Sequence, residues 1–112
     1  MNYSAKHRYA DMSAQKIRPF AALVRGRELD EALEMLRFYP NRSARLLEHV
    51  LKSAAGNAED RGARAIESLL VAEACIDEGP IMKRIMPRAR GTAYPIKRRY
   101  AHIRVTLSDG TE

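Results

Sequence analysis

The stretch that decides the fold is Leu70 to Leu107, LVAEACIDEGPIMKRIMPRARGTAYPIKRRYAHIRVTL. At its start Leu70, Ala72, Ala74 and Ile76 alternate with Val71, Glu73, Cys75 and Asp77. At its end Ala101, Ile103, Val105 and Leu107 alternate with Tyr100, His102, Arg104 and Thr106. A period of two with one apolar face predicts two half-buried strands. The residues between are punctuated by Gly79-Pro80, Pro87, Gly91 and Pro95. The simplest connection is a long antiparallel ribbon that turns near Arg88 to Ala93. Proline cannot donate to a ladder, so Pro87 and Pro95 argue that no further strand lies beside the ribbon arms. The ribbon should leave the sheet alone, and about ten residues per arm at roughly 3.3 Å each reach roughly 30 Å.

Charge is concentrated in the same place. The twenty-two residues from Lys83 to Arg104 hold eight cations and no acid: Lys83, Arg84, Arg88, Arg90, Lys97, Arg98, Arg99 and Arg104. The whole chain carries +6, so the other ninety residues sum to −2. An isolated two-stranded ribbon is marginal in water, and self-repulsion of uncompensated cations weakens it further. Such a segment is sensible when a polyanion orders it. Arginine outnumbers lysine six to two among these cations, and its planar fork holds phosphates bidentately and stacks on bases. Ile81, Met82, Ile85, Met86, Tyr94, Ile96 and Tyr100 are interleaved, as suits packing against sugars and exposed bases of folded RNA. The small residues Ala89, Gly91, Thr92 and Ala93 give a narrow tip.

Upstream, Tyr3, Ala5, His7 and Tyr9 alternate with Ser4, Lys6 and Arg8, which predicts a short strand. Ser13 is a suitable N-cap for a helix to about Arg25, with Gly26 beyond its C-terminus and Ile17, Phe20, Ala21 and Val24 on one face. Pro19 predicts a kink or a tight turn within it. Leu29, Ala32, Leu33 and Leu36 predict a second, short helix capped by Asp30 and broken at Pro40-Asn41. Asn41 then caps a longer helix to about Asp60, closed by Gly62, with Leu47, Val50, Leu51, Ala54, Ala55 and Ala58 as its buried stripe. The small residues from Ser53 to Ala58, Gly56 among them, invite close approach of another backbone. The fold predicted is α+β: three helices packed on a small antiparallel three-stranded sheet, extended by a protruding β-hairpin. One domain of 112 residues is expected, with a globular body at about 1–78 and 100–112 and a hairpin at about 79–99.

Several functions are disfavoured. There is no Gly-rich phosphate loop, no His-Glu-x-x-His and no nucleophile elbow, so no enzymatic chemistry is expected. Asp77-Glu78 precedes Gly79-Pro80 and reads as a strand end. Lone Cys75 excludes an intramolecular disulfide and a Cys-based zinc site, and no cofactor or metal is expected. The N-terminus lacks an apolar signal region, and no window approaches the length of a spanning helix, so a cytoplasmic location without membrane contact is expected. A helix-turn-helix DNA reader is opposed by charge. Residues 28–60 hold four cations and seven acids, which would repel phosphates. A β-ribbon nucleic-acid-binding regulator remains the alternative, since such ribbons fit the major groove.

The candidate polyanion-binding residues are therefore Lys83, Arg84, Arg88, Arg90, Lys97, Arg98, Arg99, His102 and Arg104. Ser13, Lys16, Arg18, Arg25 and Arg27 form a second group around the first helix, where free backbone N–H groups favour a phosphate.

Met12-Ser13-Ala14-Gln15-Lys16-Ile17-Arg18, Leu23-Val24-Arg25-Gly26-Arg27, Glu31-Ala32-Leu33 and Leu51-Lys52-Ser53-Ala54-Ala55-Gly56-Asn57-Ala58-Glu59 appear in order. Asp77-Glu78-Gly79-Pro80, Met86-Pro87-Arg88-Ala89-Arg90-Gly91 and Arg98-Arg99-Tyr100-Ala101-His102-Ile103 follow. Together they resemble the bacterial large-ribosomal-subunit proteins of the L-twenty-two family over nearly the whole chain. The chain differs in having Ala14 where the family usually has Pro, and Pro19 within the first helix. The resemblance implies a structural role: binding and organising large-subunit ribosomal RNA, aiding subunit assembly and shaping the nascent-peptide tunnel. The tip, Arg88, Ala89, Arg90, Gly91, Thr92 and Ala93, would face that tunnel. Implied partners are large-subunit ribosomal RNA, neighbouring large-subunit proteins near the tunnel and, transiently, the nascent polypeptide. No homo-oligomer is expected.

Overall fold

The computed structural model describes residues 2–87 and 93–109, with side chains described for 2–79 and 99–109. Strand β1 (Asn2–Ala10) leads into helices α1 (Ala14–Val24), α2 (Leu29–Arg37) and α3 (Arg42–Asp60). A single 3-10 turn at Ile66–Ser68 precedes the long strands β2 (Leu70–Pro87) and β3 (Ala93–Ser108). The described strands form one antiparallel sheet in the order β1-β3-β2. The helices cover one face. Ala101, Ile103, Val105 and Leu107 of β3 are buried there, as their alternation predicts. They meet Ile17, Ala21 and Val24 of α1, Ala32 and Leu36 of α2, and Leu47, Val50, Leu51, Ala54 and Ala58 of α3 in one apolar cluster.

Beyond Ala101, where β1 stops, only β2 and β3 remain paired, from Ile81↔Arg99 to Pro87↔Ala93. The ribbon expected from the proline positions is thus a two-stranded extension of a three-stranded sheet. The molecule measures 63 × 26 × 19 Å.

Three bulges correct the simple alternation. Val71 pairs with Leu107 and Glu73 with Thr106, leaving Ala72 as an extra residue. Val71 is consequently buried and Leu70 exposed, the reverse of the expected facing, while Ala74 and Ile76 point inward as expected. A second bulge, Arg8-Tyr9 opposite His102, turns Tyr9 out at φ 59° instead of continuing the Tyr3–Ala5 face. A third places Gly79-Pro80 opposite Tyr100, so β2 passes through Asp77-Glu78 and does not end there. Each bulge adds one residue to one strand only, which shifts the side-chain parity downstream.

The helices need smaller corrections. Ser13 and Asn41 occupy N-cap positions with extended backbones, but neither side chain makes the capping hydrogen bond. The second cap is Glu28, not Asp30, which lies in the first turn of α2. Helix α1 continues through Pro19 without a turn. Pro19 and Gln15 are exposed, so the Gln15 carbonyl that loses its helical donor remains open to water. Gly56 has no neighbour within 4 Å of where a Cβ would stand, so it is not the point of close approach on α3. That approach runs through Asn57, whose Nδ2 donates to the Ser4 carbonyl at 2.8 Å.

The connection after α1 is fixed by the sheet. Gly26, at φ +78°, donates its N–H to the Val71 carbonyl, and Val71 donates to the Arg27 carbonyl, both at 2.9 Å.

Candidate nucleic-acid interface

The ribbon's register sets Lys83 opposite Lys97, with Arg98 opposite Met82 and Arg99 opposite Ile81. Like charges at facing positions disfavour a ladder, and a polyanion offsets that cost. Arg88, Ala89, Arg90, Gly91 and Thr92 lie outside the described residues; Ala93 begins β3.

At the root of the ribbon the structure brings together candidates from two distant parts of the chain. Ser13 at the N-cap of α1 and Arg18 within it line a cleft of about 210 Å³ with Arg99 and Tyr100 of β3 and Glu78 and Gly79 of β2. Gly79 makes the convergence possible. A Cβ there would stand 2.9 Å from the Tyr100 carbonyl oxygen, so only glycine lets the two backbones come this close. The cleft has what an anion needs. The Ser13 hydroxyl is not spent on capping and the first turn of α1 contains no acid, while the Lys16 N–H already donates to the Ser13 carbonyl at 3.2 Å. Arg18 is steadied by a long contact from Nη2 to the Ile76 carbonyl, 3.4 Å, and Arg99 is exposed. Glu78 is the one opposing charge in the lining.

Other candidates are placed differently. Lys16 is exposed on α1. Arg25 reaches across to β2, where Nε and Nη2 both donate to the Ala74 carbonyl at 2.9 and 2.6 Å. Arg27 donates to the Leu23 carbonyl and pairs with Glu31 at 2.7 Å. These two guanidiniums bind the protein's own backbone and side chains, which a count of cations along the sequence does not reveal. His102 is half-buried and accepts the Tyr9 N–H on Nδ1 at 3.1 Å. Arg104 is half-buried opposite Cys75; that sulfur holds its guanidinium above the ordinary arginine value against the opposing cost of burial, and Asp77 and Glu73 add to the rise. The pairing of β1 with β3 also sets Lys6 opposite Arg104, with Arg8 two residues on, adding two cations that were not among the sequence candidates. Their alternation with the apolar face of β1 was the available signal.

Among the described residues no group of three or more His, Cys, Asp or Glu could hold a metal ion, and no helix is long and apolar enough to cross a membrane.

A family profile described as "Ribosomal protein L22p/L17e" matches residues 5–108, which includes both ends of the ribbon and the whole helical layer. The chain belongs to this family. It is also 50% identical over 111 residues to a protein of Rhodopirellula baltica named "Large ribosomal subunit protein uL22", covering 95% of this chain and 93% of that one. The L22p/L17e proteins are structural, non-enzymatic components of the ribosome, which accords with the inert chemistry of the residues. In this family member the basic ribbon and the α1 cleft are adjacent surfaces, because β3 carries Arg99 from one to the other.

Proposed function

We propose that the chain is a structural constituent of the large subunit of the cytoplasmic ribosome, where it binds and organises large-subunit ribosomal RNA and aids assembly. The observation that carries this reading is the two-stranded extension of β2 and β3 beyond β1, which coincides with a run of cations containing no acid. The body, about 1–78 and 100–112, rests on RNA through the α1 cleft, while the hairpin, about 79–99, threads among RNA segments. Its tip, Arg88 to Ala93, lines the nascent-peptide tunnel beside neighbouring large-subunit proteins. The charge distribution supports this reading over a β-ribbon regulator outside the ribosome only together with family membership.

Sedimentation of tagged protein separates the two. Co-migration with large subunits at moderate salt supports the ribosomal reading; free or DNA-bound protein overturns it. For the tip, large subunits assembled with residues 88–93 deleted should contain the protein at normal stoichiometry and show an altered tunnel wall in a density map. Failure to assemble would make the tip an RNA anchor and not a tunnel element.

A further inference from the structure

We propose that the open face of the sheet carries a seat for one unpaired RNA nucleotide, with Tyr9 as the stacking platform and Lys6, Arg8 and Arg104 as the surrounding cations. The inference rests on the RNA-binding reading above and adds a site where β1 meets the base of the hairpin strands.

Tyr9 is the unusual residue. Strand alternation would place it beside buried Tyr3 and Ala5, but the bulge opposite His102 turns it to the other side, where it is 60% exposed. Its backbone lies at φ 59°, a left-handed conformation that a bulky aromatic residue seldom adopts. The arrangement is nevertheless held firmly. The Tyr9 N–H donates to His102 Nδ1 at 3.1 Å, and the two rings meet edge to face with centroids 5.0 Å apart. A large apolar ring is thus presented to solvent beside the His102 ring. Bulges commonly re-aim a side chain in this way at functional surfaces.

The surroundings specify the ligand. Lys6, Arg8, Tyr9, Asp77, His102 and Arg104 line an open cleft of about 250 Å³. Three permanent cations line the cleft against one carboxylate, Asp77, and Glu73 beside Arg104 offsets a second of these charges; the balance still favours an anion, which Asp77 on β2 directs toward β1. Arg104 Nε is buried without a hydrogen-bond partner among the described residues, so the protein around it does not fully satisfy this guanidinium. An exposed aromatic face ringed by cations suits a base with its flanking phosphates; a base in a duplex has no free face, so the nucleotide is unpaired. The same strand, β3, also carries Arg99 into the ribbon root, on the helix side of the sheet.

The test uses the intact chain with two probes: a fluorescein-labelled oligouridine of about twelve nucleotides, and large-subunit ribosomal RNA substituted with 4-thiouridine. Tyr9→Ala should weaken oligouridine binding about tenfold, while Tyr9→Phe stays within about twofold, because stacking needs the ring and not the hydroxyl. Irradiation of the unaltered protein on the substituted RNA should crosslink residues 6–9, a measurement that stands even where Tyr9→Ala fails to fold. Parental affinity in a folded Tyr9→Ala protein, or crosslinks confined to the hairpin, overturns the seat. Arg98→Gln with Arg99→Gln serves as the control. If that variant loses binding while Tyr9→Ala does not, the seat fails and the RNA-binding reading stands. If neither variant loses binding and no crosslink forms, both fail.

Discussion

Gly79 and Tyr100 touch backbone to backbone at the root of the ribbon, with space for a hydrogen but not for a methyl group: a Cβ on Gly79 would lie 2.9 Å from the Tyr100 oxygen and 3.1 Å from its carbonyl carbon. Because the obstructing atoms are main chain, no side-chain rotation relieves the clash. Gly79→Ala should therefore lower stability by about 1–3 kcal/mol, the usual cost of overpacking. Urea unfolding checks the magnitude, and amide shifts centred on Tyr100 check the location. A parental midpoint would mean that the bulge yields.

Arg25 acts on the protein's own sheet. Two of its nitrogens converge on the Ala74 carbonyl, a geometry that the lysine ammonium cannot reproduce. Arg25→Lys should cost about 1–2 kcal/mol of stability. It should leave the salt dependence of RNA binding unchanged, since the charge is kept. Titrating RNA into the folded variant across a salt series separates the two effects.

Glu48 supplies a pH-dependent increment. Burial among its neighbours works to raise its pKa, but Lys52 at 3.1 Å and Arg45 at 2.6 Å outweigh it, and the net direction is down. A carboxylate with a depressed folded-state pKa stabilises the fold above its unfolded value, and that stabilisation is lost as pH falls through the folded value. Glu48→Gln should cost about 0.5–1 kcal/mol at neutral pH. The difference from the parent should begin to narrow below about pH 4, the ordinary glutamate range, and go on closing as the pH falls further. Denaturation at two pH values tests this; a gap that persists in acid would assign the loss to packing.

Cations of the arm and cations of the helices should separate in salt dependence. Arg45 and Lys52 both pair with Glu48, and Arg45 also donates to the Tyr39 carbonyl, so these charges are already engaged. Neutralising Arg84, Arg88, Arg90, Lys97, Arg98 and Arg99 should flatten the log–log salt slope of RNA binding by roughly 0.7–0.9 per residue removed. Neutralising Arg37, Arg42, Arg45 and Lys52 should change it little. Equal slopes for the two sets would deny the arm its phosphate contacts.

The architecture was legible wherever it depended on local periodicity. The apolar face from Ala101 to Leu107, the helix ends at Gly26 and Gly62, and the proline-marked ribbon all follow from side-chain parity and backbone freedom, which neighbouring residues set. The concentration of cations between Lys83 and Arg104 was equally plain, because charge is a property of composition.

Only the tertiary structure decided which charges remain available and which faces the bulged residues take. Arg25 and Arg18 look alike in sequence, yet one is spent on Ala74 while the other lines the α1 cleft with Arg99, eighty-one positions away. Leu70 and Tyr9 were placed on the wrong face because a bulge is a mismatch between two strands and leaves no trace in the period of either one. Gly79 tells the same story: its small size is written in the chain, but the reason for it, the Tyr100 carbonyl, arrives only when β2 and β3 pair. Periodicity fixes what each segment can bury; the contact between segments fixes which of its polar groups are left unengaged by the protein itself.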